Sequence, residues 1–112
     1  MQAQEIADPD NLYSRIHPLQ VRDGRPTSAA FTDPELSVDL AKLTTPQQSL
    51  SDYASYGLAS IIAGHARSLG QEVFHDPIES NPAHALVKGK KTVSIARSLA
   101  RSAKWEVLPP ND

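Results

Sequence analysis

Arg15 and His17 are the first side chains in the chain whose types and spacing could support binding chemistry. Residues 12–17 alternate apolar and polar side chains, and this period of two puts Arg15 and His17 on the same face of a predicted strand. The guanidinium fork of arginine suits phosphate or carboxylate groups, and histidine titrates near neutral pH. The pair could therefore contact a ligand. The alternative is a surface pair that braces a neighbouring loop.

Ser37 and Asp39 repeat this arrangement in a second alternating segment, residues 35–40. With a histidine, the two could form a Ser-His-Asp group. Such a triad is defined by its geometry, however, and the sequence contains no nucleophile elbow. No residue is therefore assigned as catalytic, and capping of a turn or exposure to solvent is the competing interpretation for both side chains.

A proline-bounded acidic loop follows in residues 75–87, and His84 begins an apolar run at its end. His75, Asp76 and His84 have the ligand types of a metal site but none of the known spacings, so no metal is predicted. A histidine in this position is either hydrogen-bonded within the fold or in contact with a ligand. The candidate ligand-binding set is Arg15, His17, Ser37, Asp39 and His84.

The basic residues of the chain are concentrated near its C-terminus. Residues 88–105 contain six Lys or Arg and no acid, whereas residues 1–87 contain five basic and eleven acidic residues. Such a split indicates either a solvated helix face or a surface that recruits an acidic partner. Gly89 and the helix start at Thr92 would favour an anion. The candidate partner-binding set is Lys88, Lys90, Lys91, Arg97, Arg101 and Lys104.

Composition bounds the remaining possibilities. The 112 residues suffice for one domain, and the absence of cysteine excludes disulfides and thiolate chemistry. We expect no secretory signal and no membrane span, because the N-terminus is acidic and no run approaches about 20 apolar residues. These features predict a cytoplasmic protein without a cofactor.

The coarse secondary structure predicts an α+β fold. We expect about four short strands, two or three helices and many proline-rich loops in a domain of residues 12–105. Residues 1–11 are expected to be a flexible tail and residues 106–112 a second tail. Residues 58–70 fit either a helix that ends at Gly70 or a hairpin.

Four segments, LYSRIHP at 12–18, SAAF at 28–31, LSVD at 36–39 and NPAHALV at 81–87, resemble a group of small bacterial proteins without a known activity. That resemblance implies a bacterial cytosolic origin. A fainter likeness to ADP-ribosyltransferase-type folds lies in an early strand with Arg or His and a later strand with serine. Those enzymes use a catalytic glutamate late in the chain. Here the acids after residue 87 are Glu106 and Asp112, and both lie in the predicted C-terminal tail, so the likeness departs from the family pattern at this point.

Three functions follow from these observations. The favoured hypothesis is a small accessory domain, not an enzyme, that binds an acidic protein partner or a second copy through its basic C-terminal helix. The second is an enzyme or small-ligand-binding domain whose pocket gathers the candidate ligand-binding set. The third is nucleic-acid binding through residues 88–104. It is disfavoured because the chain is acidic overall and its basic run lacks interleaved aromatic side chains.

Overall fold

Strands and short helices follow one another irregularly along the chain. The computed structural model describes residues 3–110. Within them the elements are β1 (Asn11–Ile16), β2 (Val21–Arg22), β3 (Arg25–Pro26), β4 (Glu35–Leu40), α1 (Pro46–Ser49), β5 (Gly57–Ile62), α2 (Ala63–Ser68), β6 (Glu72–His75), β7 (His84–Lys88), α3 (Val93–Ser102) and β8 (Lys104–Val107). Short 3₁₀ helices lie at Pro18–Gln20, Ser28–Phe31 and Ala41–Leu43. This mixture agrees with the predicted α+β class.

The main sheet has six antiparallel strands in the order β6-β7-β4-β1-β5-β8, and β2 and β3 form a separate two-stranded ribbon. The expectation of about four strands was therefore too low. The four predicted strands correspond to β1, β4, β6 and β7, and the main sheet gains β5 and β8. Strands β1 and β4 lie at its centre, where both of their edges are paired.

Strand β5 was hidden in the sequence because it lacks an alternating pattern. Its residues Gly57 to Ile61 are buried on both faces, and a doubly buried strand reads as a continuous apolar run. The chain then turns directly into α2. Neither the long helix nor the hairpin considered for residues 58–70 is therefore present. Gly70 does have the left-handed conformation typical of a helix end, with φ of 83°.

One face of the sheet carries the hydrophobic core. Leu12 and Ile16 of β1 and Val38 of β4 are fully buried there, beneath α3 and the 3₁₀ helix at Ser28–Phe31. Helix α3 begins as its sequence predicts, because the Thr92 hydroxyl accepts the Ile95 N–H. The opposite face of the central strands carries the polar side chains of the alternating segments.

Residues 4–10, where the sequence predicted a flexible tail, lie against the domain. Ile6 is buried in the core cluster, and the Arg67 guanidinium donates to the carbonyl oxygen of Ile6 and to the carboxylate of Asp8. The backbone N–H of Gln4 donates to Nδ1 of His75 at 2.8 Å. At the other end, β8 includes Glu106 and Val107, which the sequence had placed in the C-terminal tail.

The helices within residues 3–110 are too short or too polar for any of them to cross a bilayer.

Candidate functional site

A cavity of about 520 Å³ lies on the polar face of the sheet, above β4. Four of the five candidate ligand-binding residues line it: Arg15 from β1, Ser37 and Asp39 from β4, and His84 from β7. The sheet register explains why they meet. Asp39 lies opposite Tyr13 on one side and His84 on the other, so neighbouring strands place their outward side chains together. The walls come from α1, the loop after it and the loop between β6 and β7.

Asp39 forms the buried floor of this cavity. Asp39 is 1% exposed, and its carboxylate accepts three hydrogen bonds, from Arg15 Nη2 at 2.8 Å, Ser49 Oγ at 2.7 Å and Asn81 Nδ2 at 2.8 Å. A buried charge is tolerated when it is both paired and hydrogen-bonded, and Asp39 meets both conditions. Asp39 therefore joins β1, α1 and the β6–β7 loop at one point.

Arg15 is held in a fixed orientation on the cavity wall. Its Nε donates to the backbone oxygen of Ser49 at 2.6 Å while Nη2 donates to Asp39, and its Cζ atom lies 4.5 Å from the ring centre of Tyr53. A guanidinium over a tyrosine face gains a cation–π interaction. Its third nitrogen, Nη1, forms no hydrogen bond with the described residues, so its N–H donors are not used by the protein.

His84 lies at the rim of the cavity with both ring nitrogens engaged. Nδ1 is 3.0 Å from the backbone oxygen of Asp76 and 3.3 Å from its Oδ2, and Nε2 is 3.2 Å from Ser37 Oγ. Both partners of Nδ1 are acceptors, so in the neutral ring Nδ1 carries the hydrogen. Nε2 then accepts a hydrogen bond from the Ser37 hydroxyl.

His17 is the one candidate ligand-binding residue that does not line the cavity. Its Nδ1 accepts the Leu19 N–H at 3.0 Å and caps the 3₁₀ helix at Pro18–Gln20. Its ring packs edge-on against Tyr56, with the ring centres 5.1 Å apart. The sequence predicted that His17 shares a strand face with Arg15, but β1 ends at Ile16 and His17 begins the 3₁₀ helix instead.

Sequence reasoning did not include four side chains that build the site, namely Ser49, Tyr53, Asn81 and Asp76. Asn81 and Asp76 lie in the proline-bounded loop that the sequence had marked, but Asp76 was considered there only as a metal ligand. Ser49 and Tyr53 carried no signal, because a single serine or tyrosine in a polar segment has many possible roles. The contacts of these side chains depend on how the loops fold over the sheet.

No group of three or more His, Asp or Glu side chains within residues 3–110 is arranged to hold a metal ion. The imidazole of His75 is buried away from His84 and connects Gln4 to the backbone oxygen of Pro82, which is 2.7 Å from its Nε2. His75 thus contacts the backbone of the cavity loop from the core side of the sheet.

The candidate partner-binding set does not behave as one surface. Lys91 directs its ammonium group at backbone oxygens of Val87, Gly89 and Pro34, at 2.7, 3.1 and 3.4 Å. Burial lowers the pKa of this ammonium group, and the charge of Asp33 partly opposes that effect. Lys91 is therefore a brace for the turn between β7 and α3.

The other five members of the set are exposed: Lys88, Lys90, Arg97, Arg101 and Lys104. None of them forms an ion pair with an acid in the part of the chain that the structure describes. Arg97 and Arg101 are one helical turn apart on the outer side of α3, whose inner side buries Ala96, Leu99 and Ala100. This face is open to solvent.

No protein-family model matches the chain, and neither a curated protein nor a solved structure shows significant similarity to it.

Proposed function

We propose that the protein binds a small, neutral, hydroxyl-rich molecule in the cavity above β4. The observation that carries this proposal is the oriented Arg15 guanidinium, which Asp39 and the Ser49 carbonyl hold at the wall with one nitrogen left unengaged. A group fixed in this way loses little entropy when a ligand binds, and such preorganisation favours affinity. The volume of about 520 Å³ falls within the range of small-molecule sites.

The charge of the lining argues for a neutral ligand. Arg15 is paired with Asp39, and the cavity contains a second carboxylate, Asp52, with no compensating lysine or arginine among its described lining residues. A phosphate or carboxylate ligand would meet a neutral to negative surface. Most of the polar lining consists instead of hydroxyl and amide groups, and the ring of Tyr53 offers an apolar surface. The hydroxyl and amide groups belong to Ser37, Thr44, Gln48, Ser49, Ser51, Ser80 and Asn81.

The test is a titration of the ¹⁵N-labelled protein by NMR, using neutral monosaccharides and nucleosides as probes and inorganic phosphate at matched ionic strength as the comparison. We expect the neutral probes to shift amides of α1 and the β6–β7 loop. Tyr53→Ala should weaken binding about tenfold, the equivalent of roughly 1.4 kcal/mol. The control is Ser94→Ala, at an exposed position of α3 outside the cavity. Shifts produced by phosphate but by no neutral probe would overturn the proposal.

A second candidate function, binding of an acidic protein partner, is supported by the exposed Arg97 and Arg101 on the outer side of α3. The test measures fluorescence anisotropy with labelled poly-glutamate and, separately, with duplex DNA. Arg97→Glu combined with Arg101→Glu should weaken poly-glutamate binding at least tenfold. Arg22→Glu, at an exposed position in β2, should not. Equal losses in both variants, or preferential binding of DNA with a steep salt dependence, would contradict it.

A further inference from the structure

We infer that Ser37, His84 and Asp76 form a nucleophilic group that cleaves a neutral carboxylic ester bound in the cavity. This inference rests on the proposed function, because the same cavity would hold the ester. Ser37 and His84 would touch the substrate and be the catalytic residues. Asp76 would act through His84 and be a positioning residue.

The hydrogen bonds around His84 have the polarity that such a group needs. Nδ1 is hydrogen-bonded to an acceptor, the backbone oxygen of Asp76 at 3.0 Å, so the hydrogen of the neutral ring belongs on Nδ1. The carboxylate oxygen of Asp76 lies 3.3 Å from the same nitrogen, at ion-pair distance. The lone pair of Nε2 then faces Ser37 Oγ at 3.2 Å. This is the tautomer in which imidazole can take the serine proton, and the carboxylate of Asp76 would stabilise the resulting imidazolium.

The position of the group also suits a reaction with a bound molecule. Ser37 is exposed on a central strand and lines the cavity, while the side chain of His84 is 15% exposed at its rim. The serine arises from β4 and the histidine from β7, so both main chains are fixed by the sheet ladder. Groups carried on rigid elements keep the geometry that a nucleophile requires.

The proposed reaction balances with water as the second reactant. Ser37 Oγ bonds to the ester carbonyl carbon while its proton moves to His84 Nε2. The bond between that carbon and the alcohol oxygen then breaks, and the departing alcohol takes the proton from Nε2. Water then attacks the acyl carbon while one of its protons moves to His84 Nε2. The bond between that carbon and Ser37 Oγ breaks, Oγ takes the proton back from Nε2, and the carboxylic acid leaves.

Negative charge develops on the carbonyl oxygen during both attacks. The Arg15 guanidinium lines the same cavity, and its Nη1 forms no hydrogen bond with the described residues. A fixed donor directed at such an oxygen stabilises the tetrahedral intermediate. Arg15 is thus the group that we assign to this oxygen, in addition to its contact with the neutral ligand.

The experiment measures release of 4-nitrophenolate from 4-nitrophenyl acetate by the full chain, together with the intact mass of the protein and peptide mapping. We expect a burst, acetylation of Ser37, and a rate at least tenfold lower in Ser37→Ala and in His84→Ala. Ser94→Ala should react like the wild type. Asp76→Asn should lower kcat about tenfold at an unchanged KM, because it removes only the carboxylate and keeps the backbone acceptor.

Equal rates for Ser37→Ala and the wild type would overturn the inference, as would acetylation of lysine without acetylation of Ser37. Ser37→Ala removes one exposed oxygen and preserves the strand, so its thermal unfolding should match that of the wild type. The NMR titration with neutral probes is repeated on this variant. In Ser37→Ala, binding should persist although the esterase activity is lost. In the wild type, binding without esterase activity would reject the reaction and keep the proposed function, whereas absence of binding would reject both.

Discussion

Asp39 is the residue on which the cavity depends. It is fully enclosed, and each of its three hydrogen-bond donors comes from a different part of the chain: Arg15 from β1, Ser49 from α1 and Asn81 from the β6–β7 loop. Hydrogen bonds that involve a charged partner are stronger than neutral ones, and they are costly to break inside a protein. The same carboxylate therefore stabilises the fold and fixes the orientation of Arg15 at the cavity wall.

Replacement of Asp39 should lower the stability of the protein strongly, because several donors lose their acceptor at once. Asp39→Ala leaves the Arg15 guanidinium and the Asn81 amide without an acceptor, and we expect a loss of about 2–4 kcal/mol in the free energy of unfolding. Asp39→Asn should lower the free energy of unfolding nearly as much, because the N–H donors of the new amide group would face the donors of Arg15, Ser49 or Asn81. Urea denaturation at neutral pH measures both changes.

The matched control for that experiment is Asp52→Asn, at an exposed carboxylate in the same cavity. It should change the free energy of unfolding by less than about 0.5 kcal/mol, as surface substitutions usually do. An effect of Asp39→Ala as small as that of the control would show that the buried network contributes little to stability. It would also remove the argument for a fixed Arg15.

The N-terminal segment is the element whose role changed most between sequence and structure. Residues 7–10 form a turn in which the carboxylate of Asp10 accepts the Ala7 N–H at 2.8 Å and the Lys42 ammonium at 3.0 Å. Lys42 also donates to the carbonyl oxygen of Glu5. The hydrogen bond from Lys42, followed by that from Ala7, holds the pKa of Asp10 below its ordinary value of 3.8.

The attachment of this segment should therefore weaken in acid. A carboxyl group with a lowered pKa in the folded state adds stability above its unfolded pKa, and that stability is lost as the pH falls through the folded pKa. We expect the difference in free energy of unfolding between the wild type and Asp10→Asn to be greatest above pH 3.8 and to vanish at lower pH. Urea titrations at successive pH values measure it.

Lys42→Met provides the internal control for the acid experiment. In that background the principal cause of the lowered pKa of Asp10 is absent, so Asp10→Asn should show a much smaller dependence on pH. A difference between wild type and Asp10→Asn that stays constant with pH would contradict the explanation. The ion pair would then have no role in tethering the segment.

At the scale of the molecule, the two faces of the six-stranded sheet differ in polarity. The face beneath α3 buries the apolar side chains of β1 and β4, and the face above β4 holds the polar cavity. Arg97 and Arg101 lie on α3, which covers the apolar face of the sheet. The proposed partner-binding surface and the proposed ligand-binding cavity are therefore on opposite sides of the sheet. Substitutions for one function can therefore be tested with little effect on the other.

The amino-acid sequence by itself determined the elements whose patterns are local. Alternation placed β1 and β4 and put Ser37 and Asp39 on one face, and the capping threonine Thr92 marked the start of α3. These signals suffice because a period of two and a capping hydroxyl act over a few residues. The mixed class of the fold followed from them.

The tertiary structure alone decided which of those residues meet. The strand order places Arg15 and His84 on either side of β4. The 3₁₀ helix that begins at Pro18 directs the chain away from the sheet, so His17 does not line the cavity. Pairing between strands distant in the chain depends on burial and register, neither of which is written in local spacing. The fold of the β6–β7 loop likewise decided that Asp76, and not Asp39, is the carboxylate in contact with the His84 ring.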